Sequence, residues 1–371
     1  MTQRLCAALD AIPDALGKTG FVLEHQVAES FRSAGWSVIG GRYYADDVDG
    51  RARELDLVAY RTFKSRDLTV VYGVLVSCKK DAENTWTFLT RDRPNSDPNF
   101  DWEPIHYWTD VNPLEKYLQS AKWKGEFLSR AANAGQTFAA TRDVFAFQQI
   151  NSKSVVPKND TAIFNSITTL MKGLDHELLV LPQRQKGKKR IYFFSLLSVV
   201  DAPLVEARYS GDNVEATEIE AMTYFARYMV RKREMSALVR FIRSDVLSDE
   251  IRRIEKLAEA ASNYANLAVI NSFEAIKTSH AVQNYFASRL ESMLGWWLRS
   301  HLNKHRISHS EAKFTSVRYL QSKLQLEMDG IDNDALTFLN SDKDTARMVK
   351  DALKKVARYD GAFEFAWDIP F

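Results

Sequence analysis

Cysteine is nearly absent from this chain: only Cys6 and Cys78 occur in 371 residues. Two thiols with no paired spacing exclude a disulfide framework and a thiolate zinc site, and they fit a reducing, cytoplasmic setting. Long apolar runs are lacking too, and none approaches the roughly 20 residues a membrane helix needs. The opening stretch MTQRLCAALDAIPDALGKTG carries Asp10 and Asp14 inside its apolar pattern, so it does not read as a signal peptide. There is no internal repeat and no low-complexity tract, which argues against solenoids and disordered tails. An excess of one charge is also missing. The 50 Lys and Arg against 48 Asp and Glu leave a formal net charge of +2, too mild to announce a nucleic-acid partner except through local patches. What remains is 45% hydrophobic and 26% charged residues, enough for a sizeable core and two or three domains of a soluble protein.

Periodicity then sets out the elements. Residues 20–34, GFVLEHQVAESFRSA, space Phe21, Val22, Val27, Ala28 and Phe31 as an amphipathic helix, stopped by Gly35. WSVIGGRYY reads as a strand, ADDVDGRA as an acidic loop, RELDLVAYRTF as an alternating strand, and the β-branched DLTVVYGVLVSCKK as a central strand. Residues 91–112, rich in Pro, Asp, Asn and aromatics, read as a long loop or insertion. PLEKYLQSAKWKGEFLSRAAN follows as one helix with Pro113 at its start, then DVFAFQQI as a strand. NDTAIFNSITTLMKGL reads as a helix capped by Asn159 or Asp160 and ending near Gly173. HELLVLP, KRIYFFSLLSVV and PLVEARYS read as strands, with the basic connector QRQKGKKR between the first two. ATEIEAMTYFARYMV fits both a strand and a helix, whereas ALVRFIRS reads as a strand. From Asp249 on, SDEIRRIEKLAEAASNYANLAVI, SHAVQNYFASRLESMLGWWLRSHLNKHR, SVRYLQSKLQLEM and DKDTARMVKDALKKVARY all read as helices. The expected organisation is an α/β domain over 1–245, with an insertion at about 91–135, and an all-helical C-terminal domain over 246–371.

Chemistry concentrates on two strands. Glu54 and Asp56 lie two apart and share a face, as do Ser77 and Lys79 in GVLVSCKKD. If the two strands are neighbours, two carboxylates, a hydroxyl and an ammonium converge at one end of a sheet. Cys78 reads as a buried core thiol, with no histidine near it in sequence to activate it.

These residues, in the runs GFVLEHQVAESFRSAGWSV, RELDLVAY and VYGVLVSCKK, resemble the PD-(D/E)XK nuclease superfamily, the restriction-endonuclease-like fold of Mrr-like restriction enzymes and Holliday-junction resolvases. The resemblance covers residues 18–82. It implies a mixed sheet flanked by helices, with Glu24 as the helix acid, Asp56 as the strand aspartate and Lys79 as the lysine. Ser77 stands where the superfamily has a second carboxylate or glutamine, a weaker neutral ligand, and Glu54 or Glu24 could make good its charge. The implied metal is Mg²⁺ (or Mn²⁺), held by Asp56, Glu54, Glu24 and a strand carbonyl near Cys78. The implied function is a metal-dependent DNA endonuclease, in defence against foreign DNA. The alternative is a nuclease-fold nucleic-acid-binding or scaffold protein without catalysis. RNA is a second substrate class, and a second copy or partner protein is expected at the C-terminal helices. Lys80, Lys186, Lys188, Lys189 and Arg190 are the expected phosphate contacts, and RYMVRKREMSALVRFIR is a second basic cluster. His301, His305 and His309 are spaced four apart but lack the glutamate of a zinc hydrolase, and Trp296 and Trp297 read as packing residues.

Overall fold

In the computed structural model the described residues are 11–13, 15–17, 19–65, 68–93, 105–119, 122–130 and 140–368. Helix α1 (Gly20–Ser33) is followed by strands β1 (Ser37–Ala45), β2 (Ala52–Lys64), β3 (Thr69–Lys80), β4 (Asn84–Asp92) and β5 (His106–Thr109). Next come helices α2 (Asn112–Leu118) and α3 (Lys122–Arg130), strand β6 (Arg142–Asn151) and the long helix α4 (Thr161–Arg184). Strands β7 (Arg190–Asp201), β8 (Leu204–Ser210), β9 (Asn213–Ile219), β10 (Ala221–Val230) and β11 (Arg233–Arg243) follow. The C-terminal region holds helices α5 (Leu247–Glu274) and α6 (His280–Lys304), strands β12 (His309–Leu320) and β13 (Lys323–Ile331), helices α7 (Asn333–Ser341) and α8 (Lys343–Ala357), and strand β14 (Phe363–Trp367). The chain is mixed α/β, with mixed sheets flanked by helices and a helical C-terminal region, in agreement with the sequence reading. It divides into two compact units, Met1–Asp110 with Lys124–Tyr264, and Val111–Trp123 with Ala265–Phe371.

In the first unit the main sheet runs β1-β2-β3-β7-β11-β10, with β5 also on β7. Strands β1, β2 and β3 form antiparallel pairs, and β7 adds in parallel to β3 from Thr69↔Arg190 to Lys80↔Asp201. A parallel neighbour needs a crossover connection, and α4 lies within it. The two helices take opposite faces. On the α1 side, Phe31 meets Trp36 edge-on and Trp36 meets Tyr72 of β3. On the other, the backbone of α4 at Gly173 comes close to the side chains of Leu55 and Leu75. Tyr72 and Leu75 lie three apart on a strand, so they point to opposite sides. The burial of Leu23, Val27, Ala28 and Phe31 makes one stripe of α1, and Gly35 ends it at φ +79°, a left-handed conformation that glycine adopts without strain. A second sheet, β6-β4-β8-β9, packs Trp86 and Phe88 of β4 against Phe241 of β11.

Several local readings are corrected. The stretch 91–112 contains β5, which pairs antiparallel with β7, so it is not all loop. PLEKYLQSAKWKGEFLSRAAN is two helices, α2 and α3, rather than one. Helix α4 does not stop at Gly173 but runs to Arg184, so HELLVLP is helix and not strand. Gly173 is there for packing: a Cβ would sit 3.4 Å from the Leu55 side chain, so the helix lies close on the sheet. The open stretch ATEIEAMTYFARYMV resolves into β9 and β10.

In the second unit, α6 lays Leu290, Leu294, Leu298 and Leu302, at four-residue spacing, on a three-stranded sheet of order β12-β13-β14. SVRYLQSKLQLEM is therefore not a helix but the β12–β13 hairpin, and the region is helical without being all helix. Trp297 stacks on His301 at 4.7 Å between ring centres, while Trp296 is 76% exposed. His301 Nε2 lies 2.9 Å from Asp342 Oδ2, which also accepts the backbone N–H and the hydroxyl of Thr345 at 2.8 Å as the N-cap of α8.

That cap makes a pH-dependent prediction. Burial opposes ionisation of Asp342, yet the Thr345 and His301 contacts win and hold its carboxyl down to about 2 from the usual 3.8. A depressed carboxyl adds stability above its unfolded pKa, and that stability is lost as pH falls through the folded value. Thermal unfolding from pH 6 to pH 2 should show wild type losing stability between about pH 4 and 2. Asp342→Asn should start roughly 1 kcal/mol lower, the gap between charged and neutral hydrogen bonds, and lose less over that window. Parallel curves for the two proteins would refute the assignment.

Candidate active site

The ladder between β2 and β3 runs from Lys64↔Thr69 to Leu57↔Val76 and ends there. Beyond it β2 stays with β1 as far as Ala52, and β3 stays with β7 as far as Lys80. The two strands therefore fork at Asp56. The fork leaves backbone donors of β3 without a strand partner, and Asp56 takes one of them: the N–H of Cys78 donates to its Oδ2 at 2.6 Å. Lys79 Nζ lies 3.4 Å from the same oxygen, with both side chains partly buried. Asp56 and Lys79 thus meet across adjoining strands, as their alternation in the sequence implies.

Glu24 approaches from α1. Burial pushes its carboxyl up first, Asp56 and Glu54 push the same way, and Lys79 pulls it down. Four sequence-predicted residues, Glu24, Glu54, Asp56 and Lys79, therefore share one electrostatic field. Glu54 is the most exposed of the carboxylates at the fork and accepts a hydrogen bond from Tyr43, its cross-strand partner, at 3.3 Å. Cys78 contributes its amide, while its buried thiol is pushed well above the ordinary range by burial and then by Asp56 and Glu24, unsuited to act as a thiolate ligand. Among the described residues no group of three or more His, Cys, Asp and Glu side chains is gathered closely enough to hold a metal by itself.

The remaining expected site residues sit elsewhere. Ser77 is fully buried and lies directly across from Ser198 of β7, whose hydroxyl bonds Ser166 of α4 at 2.8 Å. Among the described residues its own hydroxyl has no hydrogen-bond partner, so it bonds neither Asp56 nor Lys79. Lys80 is engaged, donating to the Gly17 carbonyl at 2.7 Å and pairing with Asp201 at 3.3 Å. Lys186, Lys188 and Lys189 are exposed in the turn before β7. Because Arg190 is opposite Thr69 and Val200 opposite Lys79, that turn lies ten residues of parallel strand from the fork, about 33 Å. Arg190 turns inward instead, bonding Gln185 and Tyr192. Missed by sequence reasoning were the Ser166–Ser198 pair and the role of Asp201, because strand β7 has no local signal of which strand it joins.

The position of Ser77 carries a prediction. Removing a buried hydroxyl that has no partner is neutral or stabilising, by up to about 1 kcal/mol. Ser77→Ala should therefore unfold at the same or a slightly higher temperature and leave any nuclease activity within about twofold of wild type. A large loss of activity with an intact fold would restore Ser77 to the site.

Set against protein-family models, curated proteins and solved structures, the chain matches none.

Proposed function

We propose that the chain is a metal-dependent endonuclease of the restriction-endonuclease-like class that hydrolyses phosphodiester bonds in DNA. The observation that carries this reading is the meeting of Asp56 and Lys79 at the fork of β2 and β3, 3.4 Å apart. Glu24 on the preceding helix supports it: its carboxyl is pushed up first by burial and then by the like charges of Asp56 and Glu54 beside it. Crowded carboxylates of this kind are relieved by a cation.

The donor set is all oxygen, which suits a hard cation such as Mg²⁺ or Mn²⁺. Asp56 and Glu24 would be its protein ligands. Two carboxylates fit Mg²⁺, which is usually held by one or two, with waters and substrate phosphate completing its shell. When bound, such an ion polarises a phosphate oxygen and makes a water more acidic. The Cys78 amide fixes the Asp56 carboxylate, so its orientation does not depend on the ligand. Lys79 donates to the phosphate oxygen on which charge develops, or orients the attacking water. The exposed lysines 186, 188 and 189 lie about one turn of B-form duplex from the fork and would add non-specific phosphate contacts.

A second reading, a nuclease-like nucleic-acid-binding protein without catalysis, is favoured by one observation: position 77 provides a buried serine where the resembled superfamily has a carboxylate or glutamine. One experiment separates the two. The protein is incubated with supercoiled plasmid, single-stranded DNA and RNA under Mg²⁺ or Mn²⁺, beside Asp56→Ala. Nicking by wild type alone supports the nuclease; retained binding with no nicking supports the second reading; neither binding nor cutting removes both.

A further inference from the structure

Away from the fork, α4 and the main sheet line a partly open cavity of about 220 Å³. Its charged lining is three guanidiniums, Arg42, Arg184 and Arg190, against one carboxylate, Glu177, which leaves a net +2. Glu177 is largely satisfied by Arg42, which donates to it through both Nε and Nη2. Arg184 reaches Glu177 only at 3.7 Å. The Arg190 guanidinium has neutral partners, the Gln185 side-chain oxygen at 2.9 Å and the Tyr192 hydroxyl at 3.3 Å, and no carboxylate pairs with it among the described residues. One wall is aromatic. Tyr192 and Phe194 stack at 6.1 Å with an interplanar angle of 17°, and Gly73 makes room for that wall, since a Cβ there would fall 2.9 Å from the Phe194 ring.

We propose that this cavity binds a small phosphate monoester bearing a flat organic group, the chemical class of a nucleoside monophosphate. Guanidiniums match phosphate oxygens in bidentate geometry, and the two charges left uncompensated by Glu177 match a dianion. The neutral partners of Arg190 hold its fork in place without cancelling its charge. A planar group laid on Tyr192 and Phe194 gains stacking that a bare phosphate does not. The site is built on helix α4 and the four neighbouring strands β1, β2, β3 and β7, so the arrangement is preorganised. It lies toward the opposite end of β3 and β7 from Asp56 and does not depend on the nuclease reading.

The test is calorimetric titration of the full chain with adenosine 5′-monophosphate, ribose 5-phosphate and adenosine. The monophosphate should bind, ribose 5-phosphate should bind more weakly, and adenosine should show no heat at millimolar concentration. Arg184→Gln and Arg190→Gln should each weaken the monophosphate by about tenfold or more, the loss expected for one charge-assisted contact, with the thermal transition retained. Arg184 is substantially exposed, so its variant stays folded even if Arg190→Gln does not. The proposal is overturned if the monophosphate does not bind, if adenosine binds as tightly, or if both folded variants bind like wild type. It is equally overturned if a single-stranded oligonucleotide binds through these arginines while the monophosphate fails to compete.

Discussion

Lys79→Ala should lower metal-dependent cleavage by about 10²–10⁴-fold while leaving the fold intact, the range associated with losing a positioned proton donor or charge stabiliser. Lys79 is only partly buried and pairs with Asp56, itself partly exposed, so truncating it leaves no deeply buried charge alone. Asp56→Asn should cost at least as much activity. It removes the negative charge that a cation would need and weakens the acceptor that holds the Cys78 amide. The two effects separate by binding: both variants should still shift labelled duplex in a gel, because phosphate contacts supply most non-specific affinity. If Lys79→Ala cuts at the wild-type rate under saturating Mg²⁺, the fork is not a catalytic site and the nuclease reading fails with it.

The second large effect concerns the turn that supports the fork. Lys172 of α4 reaches Asp46 and Asp47, in the β1–β2 turn, at 2.9 Å each, with all three side chains about one-tenth exposed. Asp47 also accepts the backbone N–H of Arg231 from the β10–β11 turn at 2.6 Å, and the ammonium lies 5.9 Å from the Tyr228 ring centre. Burial lowers the Lys172 pKa, but the two aspartates outweigh it and raise it. Asp46 is lowered, chiefly by its hydrogen bond to Lys172. Asp47 is lowered as well, against its burial, by the Arg231 amide and Lys172. Lys172→Met fills the space but leaves the buried Asp47 with no ion-pair partner among the described residues and Asp46 with only Arg53, at 3.7 Å, so it should destabilise the first unit by about 3–5 kcal/mol. Replacing both aspartates with asparagine in that background should recover part of the loss, since no uncompensated charge is then buried. Denaturant unfolding measures both. A Lys172→Met protein within 1 kcal/mol of wild type would mean that the network adds little to the net stability.

The sequence read best where the signal was local. Alternation in RELDLVAY and GVLVSCKKD put Asp56 and Lys79 on faces that could meet, and a short antiparallel connection made β2 and β3 neighbours. It read worst where a turn lacked its usual residues. The β12–β13 hairpin turns through Gln321 and Ser322 at φ 49° and 64°, and the β10–β11 hairpin through Arg231 and Lys232 at φ 50° and 60°. Tight hairpin turns with positive φ normally announce themselves by Asn and Gly, so SVRYLQSKLQLEM looked helical and ATEIEAMTYFARYMV stayed open. Gly173 misled in the opposite direction, because a glycine chosen for close packing against Leu55 looks like a helix stop.

By itself the sequence determined the amphipathic helix α1, the three strands after it, and the residues able to carry charge at their ends, because side-chain period depends only on neighbours along the chain. The tertiary structure decided the rest. It seated Ser77 opposite Ser198, tied Lys172 to the acidic turn, moved the basic connector some 33 Å from the fork, and gathered three arginines around one cavity. Those outcomes depend on which strands pair, in which direction and register, and pairing is settled by contacts between residues far apart in sequence that no local pattern records.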